Sequence, residues 1–108
     1  MRYVDDQVYD ALARVNVELA ERGEPARVRF ASIRPDPYLD DVWLVIATWE
    51  LPDLAPDQDT WPLDLIEKYD TLTWESLKAL EVTPLCEYRT RGELADASQL
   101  GRPVPELV

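Results

Sequence analysis

Residues 41–51 read DVWLVIATWEL, and this run decides the fold class. It is dense in β-branched and aromatic side chains and far too short to cross a bilayer as a helix. In an extended chain Trp43, Val45, Ala47 and Trp49 point to one side, and Val42, Leu44, Ile46 and Thr48 to the other. Both sides are apolar enough to be covered, so the run reads as the central strand of a sheet.

Working upstream, residues 26–34 (ARVRFASIR) set Arg27 and Arg29 against Val28 and Phe30, the pattern of a strand with one wet face, nearer a sheet edge. Pro35-Asp36-Pro37 stops it, because neither proline can donate to a ladder and each restricts the residue before it. The two runs and their short connection predict an antiparallel hairpin. Before them, Val8, Leu12, Val15 and Leu19 recur at helical spacing and predict a helix over residues 6–22 with that face in the core. Asp5 reads as its N-cap, Val4 and Tyr9 as a hydrophobic staple, and Gly23-Glu24-Pro25 as its stop.

Downstream, residues 52–59 hold three acids and two prolines without periodicity and read as an exposed loop. Thr60 and Pro62 suit a helix start, and Leu63, Leu65, Ile66 and Tyr69 supply an apolar stripe. A break at Thr73 makes that residue an N-cap, pairs Leu72 with Leu77 and sets Glu75 in a first turn, so two short helices are expected across residues 60–81. Residues 85–88 (LCEY) read as a third strand, and Thr90 with Glu93 has capping-box spacing for a short helix over residues 91–97. The expected architecture is therefore α+β, in the order α-β-β-α-α-β. A small antiparallel sheet of two or three strands packs on the N-terminal helix, with residues 1–100 as one domain and 101–108 as a tail.

Composition narrows the chemistry. The chain has 108 residues, one cysteine (Cys86) and no histidine, which removes the usual zinc, copper and haem ligand sets and every intrachain disulfide. A cytoplasmic setting is the expectation, since Asp5, Asp6, Asp10 and Glu18 interrupt any secretory apolar core and no run is long enough for a membrane span. Without histidine no Ser-His-Asp or Cys-His nucleophile can be built, and the three glycines, Gly23, Gly92 and Gly101, are too scattered for a phosphate-binding loop. Cys86 lies in an apolar stretch beside Glu87, which disfavours its thiolate. Asp36, Asp40 and Asp41, and again Asp53, Asp57 and Asp59, cluster without the spacing or central glycine of an EF-hand, and read as solvated loops. Arg89 and Arg91 read as charge balance for nearby acids. No catalytic residue, cofactor or metal ligand is assigned.

What remains is charge and tryptophan. The net charge is −11, and residues 52–81 carry −6 of it, from eight acids against Lys68 and Lys78. Such a field repels a phosphate backbone and attracts a basic protein surface. Of four tryptophans, Trp43 and Trp49 fit a strand face, whereas Trp61 and Trp74 stand in the acidic quarter off the apolar stripe. They could cap the core at helix entrances or form an anchor with an anionic rim, the composition of an interaction hot spot. The functional expectation is a non-enzymatic acidic interaction protein, an inhibitor, immunity-type or regulatory factor. Trp61, Trp74, Asp57, Asp59, Asp64 and Asp70 are its partner-binding candidates. Two alternatives are a nucleic-acid mimic that blocks a DNA- or RNA-binding protein and a small carboxylate-dependent enzyme or ligand-binding domain. Self-association through an edge strand or the tail is left open.

Overall fold

The structure, a computed structural model, describes the backbone of residues 3–94 and 101–106. Helix α1 (Tyr3–Glu21) is followed by strands β1 (Arg27–Pro35) and β2 (Trp43–Glu50), helix α2 (Leu63–Leu77), a 3-10 turn (Lys78–Leu80), and strands β3 (Val82–Arg89) and β4 (Arg102–Pro103). The fold is α+β, with one sheet of order β3-β2-β1-β4. β1 runs antiparallel to β2 and to β4, but β3 runs parallel to β2. Four strands in a mixed sheet replace the expected antiparallel two or three. The reason is the crossover: α2 carries the chain back to the end of the sheet where β2 begins, so Trp43 pairs with Val82 and Glu50 with Arg89.

α1 forms where the period predicts it, with Val8, Leu12, Val15 and Leu19 all buried. Its stop is a Schellman turn. Gly23 takes φ +72°, its N–H donates to the Ala20 carbonyl at 3.1 Å, and Glu24 N–H reaches the Leu19 carbonyl at 3.0 Å. Its start differs: the helix begins at Tyr3, so Asp5 lies inside the first turn and is not the N-cap. There a negative charge is favoured by the helix dipole without capping geometry. The Val4 side chain of the proposed staple lies outside the described residues.

A bulge in β1 changes which residues share a face. Val28 pairs with Trp49, but Phe30 pairs with Thr48, with Arg29 as the extra residue. Val28 therefore faces the core, and Phe30 the opposite side of the sheet. Asn16 of α1 closes the gap: its Nδ2 donates to the Val28 carbonyl at 2.8 Å, and its Oδ1 accepts the Val28 N–H at 2.8 Å. Asn16→Ala would leave both backbone groups of Val28 without these partners, and chemical denaturation should show a loss of about 1–3 kcal/mol.

Both helices cover one face of the sheet. The core joins Leu12 and Leu19 of α1 and Tyr69 and Leu77 of α2 to Val28, Ala31, Val45, Ala47 and Trp49, with Cys86 and Tyr88 packed against it. The other face of β2 is only partly covered at Leu44 and Ile46. α2 is one continuous helix, so Thr73 is not an N-cap. It is fully buried, donating to the Tyr69 carbonyl at 2.8 Å and accepting Trp49 Nε1–H at 3.1 Å. With its hydroxyl satisfied on both counts, threonine is tolerated inside the helix. The Thr90–Glu93 capping box does form, with both reciprocal bonds (2.8 and 3.4 Å). Residues 95–97 of the short helix expected after it lie outside the described residues. β4 pairs with β1, and Val104 behind it is buried in the core.

Tyr69 stacks on Trp49 with ring centroids 4.7 Å apart, and its hydroxyl donates to the Glu24 carboxylate at 3.2 Å. Burial, with the Glu24 charge second, pushes its phenol up to about 12. In the unfolded chain the same phenol ionises near pH 10. Between about pH 10 and 12 the folded state thus holds a proton that the unfolded state has lost, and stability must fall as pH rises through that window. Urea titrations at stepped pH should show this fall, and Tyr69→Phe should make it less steep, the remainder coming from Tyr88, whose phenol is also raised.

Candidate functional site

The six candidate residues do not form one patch. Asp57 and Asp59 are exposed in the loop before α2, and Asp64 lies in the first turn of α2, where the helix dipole favours a carboxylate. Trp61 is half-buried against the core, and its Nε1–H donates to the Pro52 carbonyl at 3.0 Å, which ties the acidic loop down. Asp70 and Trp74, one helical turn apart, are brought together. They share an exposed stripe of α2 with Leu63 and Glu67 at spacings of four, three and four. Asp64 lies about 15 Å from Trp74 along the helix axis, at 1.5 Å per residue.

Asp70, Thr71 and Trp74 form one wall of a groove of about 450 Å³ whose other wall is Pro84, Leu85 and Cys86 of β3. Trp74 is 53% exposed and Leu85 51%. For side chains of this size that is a large apolar area in contact with water, and here it borders a carboxylate. The linear sequence carries no signal that marks Leu85. Its alternation with Pro84 and Cys86 says only that it faces the other side of the sheet, and exposure follows because no helix covers that side beside it. Leu63, which spacing assigns to the apolar stripe of its helix, is instead 72% exposed at the start of this outer stripe.

The polar groups of the groove are fixed. The Tyr88 hydroxyl donates to the Asp70 carboxylate and lies 3.2 Å from the Ile66 carbonyl. Burial, helped by the Asp70 carboxylate, pushes the Tyr88 phenol far up, so it stays a neutral donor. Burial also pushes the Cys86 thiol up, which leaves it a poor nucleophile. Lys78 sits 5.8 Å from the centroid of the Trp74 ring and pairs with Glu75 at 2.6 Å. Arg89 pairs with Glu87 at 3.4 Å and is held locally.

Elsewhere the displaced carboxyls serve the fold. Lys68 holds the Glu24 carboxyl below its usual range, through the ion pair that joins α2 to the turn after α1. Asp36 is lowered chiefly by the Tyr38 backbone N–H (2.8 Å) in the hairpin turn, and Glu93 by the Thr90 N–H of the capping box. A general acid needs its carboxyl moved up, the opposite direction. The groove is equipped to bind by charge and apolar contact, with a carboxylate acceptor, an indole face and a leucine at its rim.

The chain matches no protein-family model, and no curated protein or solved structure is significantly similar to it.

Proposed function

We propose that this chain is a non-enzymatic interaction protein, an inhibitor, immunity-type or regulatory factor, that docks a basic surface of a protein partner through the α2–β3 groove. The observation that carries the reading is Trp74, an indole half exposed beside Asp70 in the most acidic quarter of the chain. Aromatic anchors set in a charged rim are the residues on which binding energy concentrates. The surrounding carboxylates speed encounter with a cationic partner and reject anionic ones. Trp61 pins the acidic loop to the Pro52 carbonyl, and Asp57, Asp59 and Asp64 contribute to the field.

Trp74 touches little of the core, so Trp74→Ala should leave stability within about 0.5 kcal/mol of the parent, as for surface positions generally. Partner affinity should fall at least about tenfold, the scale of a hot-spot residue. Chemical denaturation checks the first, and a tagged pull-down from the source organism's lysate at low and high salt the second. One stoichiometric basic protein, released by salt and lost with Trp74→Ala, is the expected result. Retention that neither salt nor the substitution alters would show that the groove is not the docking site.

A further inference from the structure

We infer that the free edge of β3 takes up an extended, basic segment of the partner as an added strand. This rests on the interaction reading and names how the partner is held. β3 ends the sheet, and among the described residues no strand pairs with its outer side. The Arg89 carbonyl accepts Leu51 N–H at 2.9 Å, so it points toward β2. Strand alternation then turns Glu87, Leu85 and Thr83 toward β2 as well, and turns the backbone groups of Tyr88, Cys86, Pro84 and Val82 outward. Two further observations agree. Pro84, which has no N–H to donate, falls in the outward set, the position prolines occupy on edge strands. The Tyr88 carbonyl is met by the guanidinium of Arg89 at 3.0 Å, as an outward carbonyl can be. The Cys86 N–H and carbonyl and the Tyr88 N–H are left facing out at the spacing of a ladder.

The walls beside that edge define the occupant. Side chains of an added strand alternate, as those of β3 do. On the helix side they meet Asp70 and the Trp74 indole, which suit lysine or arginine through ion pairing and cation–π contact. On the other side they meet the exposed Leu85, which suits an apolar residue, while Glu87 is already paired with Arg89. The fitting ligand is a strand of alternating basic and apolar residues. A second copy of this chain fits poorly, because it would bring another net charge of −11 and another Pro84 to the same edge.

The test is selection of a phage-displayed random dodecapeptide library on the full chain, followed by synthesis of an enriched peptide. Enrichment of alternating Lys/Arg and apolar residues is expected, with binding weakened at least about tenfold by Trp74→Ala. In hydrogen exchange, the Cys86 and Tyr88 amides should gain at least about tenfold protection at saturation, as ladder amides do. N-methylation of alternate peptide amides should abolish binding in one register and spare it in the other. Basic peptides that bind at Trp74 without protecting those amides would overturn strand addition yet leave the acidic docking reading standing. Absence of basic peptides from the selection would overturn both. Protection of the same amides by concentration alone, without peptide, would assign the edge to self-association and overturn the inference.

Discussion

Trp49→Ala is expected to unfold the protein or bring it close to unfolding, with a loss of about 3–5 kcal/mol, the usual range for removing a buried indole. Trp49 is fully buried near the C-terminal end of β2, the strand between β1 and β3. It stacks on Tyr69 and donates to Thr73, so its loss opens a cavity beneath α2 and takes away a partner of the Thr73 hydroxyl. Domains of this size have about 5–15 kcal/mol in total, so the remainder is small. Trp49→Phe keeps most of the volume and deletes the hydrogen bond, and its cost should be nearer 1–2 kcal/mol, roughly the net value of such a bond. Denaturation midpoints of the two variants check the order. Equal costs would mean that the hydrogen bond, not the packing, holds α2 on the sheet.

Gly101→Ala should detach β4 from β1. Gly101 has φ +98°, a region that strains any side chain, and an added Cβ would stand 2.4 Å from the Ala31 oxygen and 2.7 Å from the Ala31 carbonyl carbon. Both are backbone atoms of β1 and cannot step aside as a flexible side chain would. The same Ala31 carbonyl accepts the Tyr9 hydroxyl at 2.5 Å, so a shift there reaches α1. Beyond Gly101, Arg102 lies over the Tyr9 ring at 4.4 Å and Val104 is buried in the core. The strain alone is worth about 1–3 kcal/mol, and exposing Val104 adds about 1.5 kcal/mol or more. Increased amide exchange at Val104 and in β1, with a lowered thermal midpoint, is the expected signature. Unchanged exchange at Val104 would show that β1 accommodates the methyl group.

The sequence resolves whatever depends on near neighbours. The apolar stripe of α1, its glycine stop, the β1–β2 hairpin and the place of β2 inside the sheet all follow from 3.6- and 2-residue periods and from proline and glycine chemistry. Thr73 marks where that reasoning stops. Threonine followed by Trp-Glu looks like a helix start, and only the indole of Trp49, 24 residues away, makes it a satisfied interior residue. The bulge at Arg29 is another such point: alternation sets Val28 and Phe30 on one face, while Asn16 reaching across from α1 supports the geometry that separates them.

The candidate site divides in the same way. Acidity in residues 52–81 and the unusual placement of Trp61 and Trp74 are properties of the linear chain. That Trp61 turns inward and Trp74 outward is not, because both stand near helix positions whose environment depends on which way α2 lies on the sheet. By itself the sequence determined the buried face of α1, the hairpin, the net charge and the absence of histidine chemistry, since each is a local or summed property. Tertiary structure alone decided the parallel placement of β3, the continuity of α2 and the meeting of Asp70, Trp74 and Leu85 in one groove. Those depend on which distant segments close on one another, and local periodicity carries no term for that.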